Sequence, residues 1–122
     1  MTEGHTEIWH NPRCSKSRAA LAHLEAISTG FTVRRYLDEP PTAEELRAVL
    51  DRLGLEPWEI TRTGERLAKD LGLAQWGRTP DDRERWIEAL VARPELIQRP
   101  IVLTGDGRAI VARSAEALRE LG

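Results

Sequence analysis

The sequence predicts an α/β protein built on a small mixed sheet, and three observations carry that prediction. Two short strand candidates, residues 7–10 and 31–37, are joined through a helical pattern. A block of helical patterns follows. Then two more strand candidates, residues 101–104 and 108–112, meet at Gly105-Asp106-Gly107 and lead into a last helix. The order is β-α-β, helices, β-β-α. At 122 residues the chain suits one hydrophobic core, so a single domain over 1–122 is expected, with a helical insertion at about 42–93.

Each element has a local reason. Glu7-Ile8-Trp9-His10 reads as a strand that stops at the turn signal Asn11-Pro12. Ser17, Ala20, Leu21, Leu24 and Ile27 recur at helical spacing, and Gly30 is the expected stop. Phe31 and Val33 face one way in the next strand, and Tyr36 adds a β-favouring ring. After Pro40-Pro41, Thr42 and Glu45 form a capping box for a helix whose apolar stripe is Leu46, Val49, Leu50 and Leu53, ended by Gly54. A short helix is expected at about 65–71. Thr79-Pro80 opens another, with Trp86, Ile87, Leu90 and Val91 inward and Pro94 at its close. Gly105-Asp106-Gly107 is a hairpin turn, and Ser114 caps a terminal helix with Ala117, Leu118 and Leu121 inward. Strands joined through a helix pair in parallel by a right-handed crossover, whereas the late hairpin adds antiparallel strands. This order resembles the thioredoxin fold with helices inserted between its βαβ and ββα halves.

Composition narrows the function. A net charge of −2 with interspersed signs lacks the basic face of a nucleic-acid binder. One cysteine excludes an internal disulfide and fits a reducing compartment. The polar start, residues 1–7, has no signal-peptide core, and no stretch approaches the ~20 apolar residues of a membrane span. A cytoplasmic protein, without nucleic-acid or membrane partners and monomeric, is expected. Arginine far outnumbers lysine, and its planar fork suits oxyanions. His5 and His23 have no partner spacing, so no metal site is expected. Trp9, Trp58 and Trp86 are expected in the core, with Trp76 part-exposed.

Cys14 falls between a strand and a helix. The unpaired N–H groups and the positive end of a helix favour thiolate there, and Arg13, Lys16 and Arg18 add positive charge. His10 is placed to approach the sulfur. A buried apolar cysteine is the alternative, but flanking charges at a strand-to-helix turn speak for a nucleophile. Cys14-Ser15-Lys16-Ser17 has the form C-x-x-S, so an outside thiol must resolve any covalent state of Cys14. Ser17 either donates a hydrogen bond to the thiolate or is an ordinary first-turn residue.

His10-Asn11-Pro12-Arg13-Cys14-Ser15-Lys16-Ser17-Arg18 resembles the active-site loop of the glutaredoxin-dependent arsenate reductases. Tyr36-Leu37 with Pro40-Pro41 and Glu45-Leu46, Asp70-Leu71-Gly72-Leu73, and Gln98-Arg99-Pro100-Ile101-Val102 resemble further segments of that family in the same order. The resemblance covers nearly the whole chain. It implies a glutaredoxin-like fold, a cis bond at Arg99-Pro100, and reduction of arsenate to arsenite. The cysteine attacks arsenate, a small thiol such as glutathione attacks the adduct, and a glutaredoxin-like protein removes that thiol. Catalytic residues carried over are Cys14, His10, Arg62, Arg99 and Arg113, with Ser15 and Ser17 joining Cys14, Arg62 and Arg99 in binding substrate. Arg66 is a neighbour that could stand in for Arg62. Without a gap the third arginine position falls on Ala112, and one extra residue in the late hairpin would bring Arg113 into register. No bound cofactor is implied, with glutathione or an equivalent thiol as co-substrate. Two other readings remain: a general glutathione-dependent thiol reductase of the same family, and a regulator docking on RNA polymerase, against which the missing second cysteine counts.

Overall fold

The computed structural model describes residues 6–27 and 30–121. His5 therefore lies outside the described residues. The chain divides into two compact units: one of residues 1–39 and 99–122, the other Pro40–Gln98.

The first unit carries the sheet. Strands β1 (Thr6–Trp9), β2 (Phe31–Arg34), β3 (Ile101–Leu103) and β4 (Ala109–Val111) lie in the order β2-β1-β3-β4. β1 pairs with β2 in parallel, with Ile8 opposite Val33. It pairs with β3 in antiparallel fashion, with Ile8 opposite Val102, and β3 pairs likewise with β4. The parallel pair is joined through helix α1 (Ser15–Ala26), as the crossover rule requires. The hairpin turns at Gly107, whose φ of 95° is open to a residue lacking a Cβ. Helix α5 (Ala115–Arg119) follows, and the Ser114 side chain accepts from the Ala117 N–H to cap it. Ile8, Ala20, Leu24, Val102, Ile110, Ala112 and Ala117 form one buried cluster, so α1 and α5 share a core with three strands. The fold is the mixed thioredoxin-like sheet that the sequence predicts.

Two boundaries differ from the sequence reading. Helix α1 ends at Ala26 with Ile27 as its C-cap, ahead of Gly30. The run Ile27-Ser28-Thr29 explains this, because β-branched and hydroxyl side chains are poor helix formers. Strand β2 stops at Arg34 instead of continuing to 37: residues 35–38 form a turn in which the Asp38 and Glu39 amides both donate to the Arg35 carbonyl, at 2.9 and 2.8 Å. Tyr36 is buried from that turn, and Val33 remains 43% exposed on an edge strand.

The second unit is helical. It contains α2 (Ala43–Leu53), α3 (Arg66–Asp70) and α4 (Arg83–Ala92), with short 3₁₀ turns between them. Thr42 and Glu45 exchange side-chain and backbone hydrogen bonds of 2.9 and 3.1 Å, and Gly54 closes α2 in the left-handed region at φ 69°. Leu46, Val49 and Leu50 are buried, and α2 packs on α4. Thr79-Pro80 opens a 3₁₀ turn, Pro80–Asp82, that runs directly into α4. Trp86 is fully buried, its indole N–H donates to the Gly77 carbonyl at 2.8 Å, and Trp58 and Trp76 meet it edge-on. Trp58 is only half-buried, unlike the core position expected for it.

Thr42→Ala removes the cap acceptor from α2. A loss of about 1 kcal/mol of stability is expected, read from urea unfolding followed by helical circular dichroism.

Candidate active site

Cys14 is the N-cap of α1, with extended backbone at φ −98° and ψ 124°. Its own N–H donates to the Asn11 carbonyl at 3.0 Å, and its carbonyl accepts from the Arg18 N–H at 2.9 Å. The loop is further braced by Arg18, whose guanidinium donates to the Pro12 carbonyl at 2.9 Å, and by Asn11, whose side chain accepts from the Arg13 N–H at 3.0 Å. Cys14 is thereby held at the start of the helix, the residue 7% exposed. The side chain makes no conventional cap hydrogen bond.

Electrostatics at the sulfur favour the anion. Burial pushes the Cys14 thiol up, but the helix-start amides of Ser17 and Lys16 and the charge and hydrogen-bonding of Arg99 more than offset it, leaving its pKa below the ordinary value. Arg99 arrives from the other end of the chain, just ahead of β3, across the cis peptide bond Arg99-Pro100 that the resemblance implies. Its Nε and Nη1 are buried and have no hydrogen-bond partner among the described residues.

His10 and Ser17 form a second, buried pair. His10 Nδ1 lies 2.6 Å from Ser17 Oγ, which also accepts from the Asn11 N–H at 2.9 Å. Burial, then the charges of Arg35 and Arg18, hold His10 below the usual histidine range. Nδ1 and Oγ share one hydrogen bond, whose donor is set by the imidazole tautomer. The Ser17 hydroxyl is committed to His10 and Asn11, and the group that Ser17 offers the sulfur is its backbone N–H. His10 thus bears on Cys14 through the first turn of α1.

The remaining expected site residues are placed differently. Ser15 opens α1 and is exposed. Ala112 is 1% exposed within the core cluster, so an arginine could not stand there. Arg113 is exposed just past β4, and its Nη1 donates to the Arg99 carbonyl at 2.9 Å. It braces the backbone that carries Arg99. Arg62 belongs to the second unit, where it pairs with Glu65 at 2.9 Å and donates to the Glu95 carbonyl at 3.3 Å. Arg66, beside it, is exposed at the start of α3. Among the described residues no group of three His, Cys, Asp or Glu is placed to hold a metal ion. No helix among them is long and apolar enough to cross a membrane. The sequence reading missed Arg35 and Asp38, which flank the Cys14 loop, because residues 31–37 read as one strand. Asp38 two residues ahead of Pro40-Pro41 was the turn signal available.

A cysteine with a lowered pKa at the start of the first helix, beside the arginine that precedes a cis-proline, defines a thiol oxidoreductase of thioredoxin-like fold. The chain belongs to the ArsC family, whose sequence model matches residues 9–121. It is 42% identical over 112 residues to an arsenate reductase of Neisseria meningitidis, covering 90% of this chain and 92% of that one. A Streptomyces viridochromogenes protein, described as an uncharacterized protein in the glnII region, is 54% identical over 114 residues, with 93% and 96% covered. The solved structure of an arsenate reductase from Vibrio cholerae superposes with a TM-score of 0.81 at 35% identity, over 98% of this chain and 97% of that one.

Two outcomes follow from the charges. Alkylation of Cys14 by iodoacetamide is expected to titrate with a midpoint below the ordinary thiol value of about 8.5, and Arg99→Ala is expected to raise that midpoint. His10 has a lowered pKa in the folded state, so near pH 6 the unfolded chain binds more protons and stability rises with pH. Its contribution is complete above about pH 6.5 and is lost on acidification below that value. Urea unfolding at pH 7.5 and pH 5 measures the loss, which His10→Gln is expected to flatten.

Proposed function

We propose that the protein is an arsenate reductase that works through a covalent Cys14 adduct. The observation that carries this reading is the Cys14–Arg99 pair: a cysteine of lowered pKa next to a guanidinium with two buried, unpartnered nitrogens, Nε and Nη1. A tetrahedral oxyanion supplies the acceptors those groups lack, and the guanidinium offsets repulsion between thiolate and anion. Family membership and the named arsenate reductases among the relatives support the substrate.

In the first step the Cys14 thiolate attacks arsenic, an As–O bond breaks, and water leaves after protonation, giving Cys14–S–AsO(OH)₂. A small thiol RSH then attacks the Cys14 sulfur. The S–As electron pair passes to arsenic, which leaves as arsenite, As(OH)₃, while Cys14–S–SR forms. Exchange with a glutaredoxin-like protein releases Cys14 as thiol. The chain has a single cysteine, so both later steps need sulfur from outside. The setting for this chemistry is the reducing cytoplasm.

Arg99 binds and charges the oxyanion. Arg113 holds the Arg99 carbonyl, and the resemblance gives Arg62 an oxyanion role that its single substitution tests. Ala112, buried where the third arginine of the family falls without a gap, favours one second reading: a general thiol reductase of the same family acting on disulfides.

Arsenate-dependent NADPH oxidation, coupled through glutathione, glutathione reductase and glutaredoxin, decides between them. Turnover that disappears in Cys14→Ser is expected. No turnover, with rapid alkylation of Cys14 at neutral pH retained, would leave the general thiol reductase.

A further inference from the structure

Arg99 supplies both charge and a hydrogen bond at the sulfur, yet it lies two residues ahead of β3, where the strand ladder has not begun. The segment after β4 holds it there. The Ala112 N–H donates to the Pro100 carbonyl at 2.9 Å, and Nη1 of Arg113 donates to the Arg99 carbonyl at 2.9 Å. Two consecutive carbonyls are thus gripped by two consecutive residues, the first by main chain and the second by a guanidinium. The Arg113 N–H donates back to the Val111 carbonyl at 3.0 Å, which ties Arg113 to the end of β4. Ala112 faces the core cluster, and Arg113 follows it past the strand with its guanidinium on the Arg99 backbone. That contact is the one hydrogen bond of the Arg113 side chain among the described residues.

We propose that Arg113 is a positioning residue: it acts through the Arg99 carbonyl to set the guanidinium of Arg99 against Cys14, and it does so before any oxyanion arrives. This rests on the reading of Cys14 as the nucleophile, and it sets Arg113 apart from an arginine that meets the oxyanion itself. The groups at the sulfur fit this role. Burial raises the Cys14 thiol, whereas the Ser17 amide, the charge of Arg99, the Lys16 amide and a hydrogen bond from Arg99 lower it, and Arg113 is not one of these principal groups. Its influence has to pass through a neighbour, and the neighbour it holds is Arg99. A charge-assisted bond to a carbonyl is short and directional. Hydrogen bonds weaken steeply as alignment is lost, so a guanidinium that must meet the sulfur depends on where its own backbone is fixed.

The test is a double-mutant cycle read at Cys14, in buffer free of arsenate and phosphate. Iodoacetamide alkylation is followed against pH by mass spectrometry in the wild type, Arg113→Met, Arg99→Ala and the double variant. Arg113→Met is expected to raise the midpoint by about half a pH unit, a fraction of the roughly 1–3 pH units that a neighbouring opposite charge is worth. In the Arg99→Ala background the same substitution is expected to add nothing, because the group it positions is gone. An unchanged midpoint in Arg113→Met overturns the proposal and leaves direct contact with the oxyanion. Equal shifts with and without Arg99 overturn it too, since a lost charge or a loosened fold acts on the sulfur independently of Arg99. A wild-type midpoint at the ordinary thiol value overturns the nucleophile reading and this proposal with it. Arsenate turnover that fails while the coupling holds removes the substrate of the preceding section and leaves the role of Arg113 standing.

Discussion

A sulfur atom placed at the start of a helix is the constraint from which the rest of this structure can be understood. Burial works against its charge, and only the amides of the first turn of α1 together with Arg99 reverse that penalty. For the amides to converge, Cys14 must sit at the N-cap, and the loop before it must be held. Asn11, Pro12 and Arg18 supply that bracing. For Arg99 to arrive, β3 must lie beside β1, since these strands carry the two partners to neighbouring positions. The order β2-β1-β3-β4, with β1 central, is thus as much a condition of the chemistry as of the packing.

The buried His10–Ser17 pair shows how the same constraint reaches into the interior. A serine with no exposure at the third helical position would be costly if its hydroxyl lacked partners. Here it links the end of β1 to the first turn of α1, and a neutral histidine is the partner that avoids another positive charge next to Arg18 and Arg35. The second unit follows ordinary rules of helix capping and aromatic packing, with Trp86 as its centre.

Much of this was legible because it is local. The capping box of α2, the left-handed Gly54, the Gly107 turn and the strand–cysteine–helix junction each depend on a few adjacent residues. The pairing of Cys14 with Arg99 is long-range, and only the resemblance indicated it. The role of Ser17 was half-legible: its position was right, but its hydroxyl is drawn to His10, and no pattern in sequence separates side chain from backbone as the donor. The turn at 35–38 was hidden because Tyr36 is a strong strand former, and tertiary burial overrode that preference. Arg113 illustrates the limit of register arguments, since the alternation of a strand no longer applies one residue past its end.

Cys14 and Arg99 are far apart in sequence, and the pairing of β1 with β3 is what carries their segments to one place. When the sheet comes apart, the sulfur loses the helix amides and the guanidinium at once and reverts to an ordinary thiol. In the unfolded chain that lowering is absent, so folding itself raises the share of Cys14 that is thiolate at neutral pH.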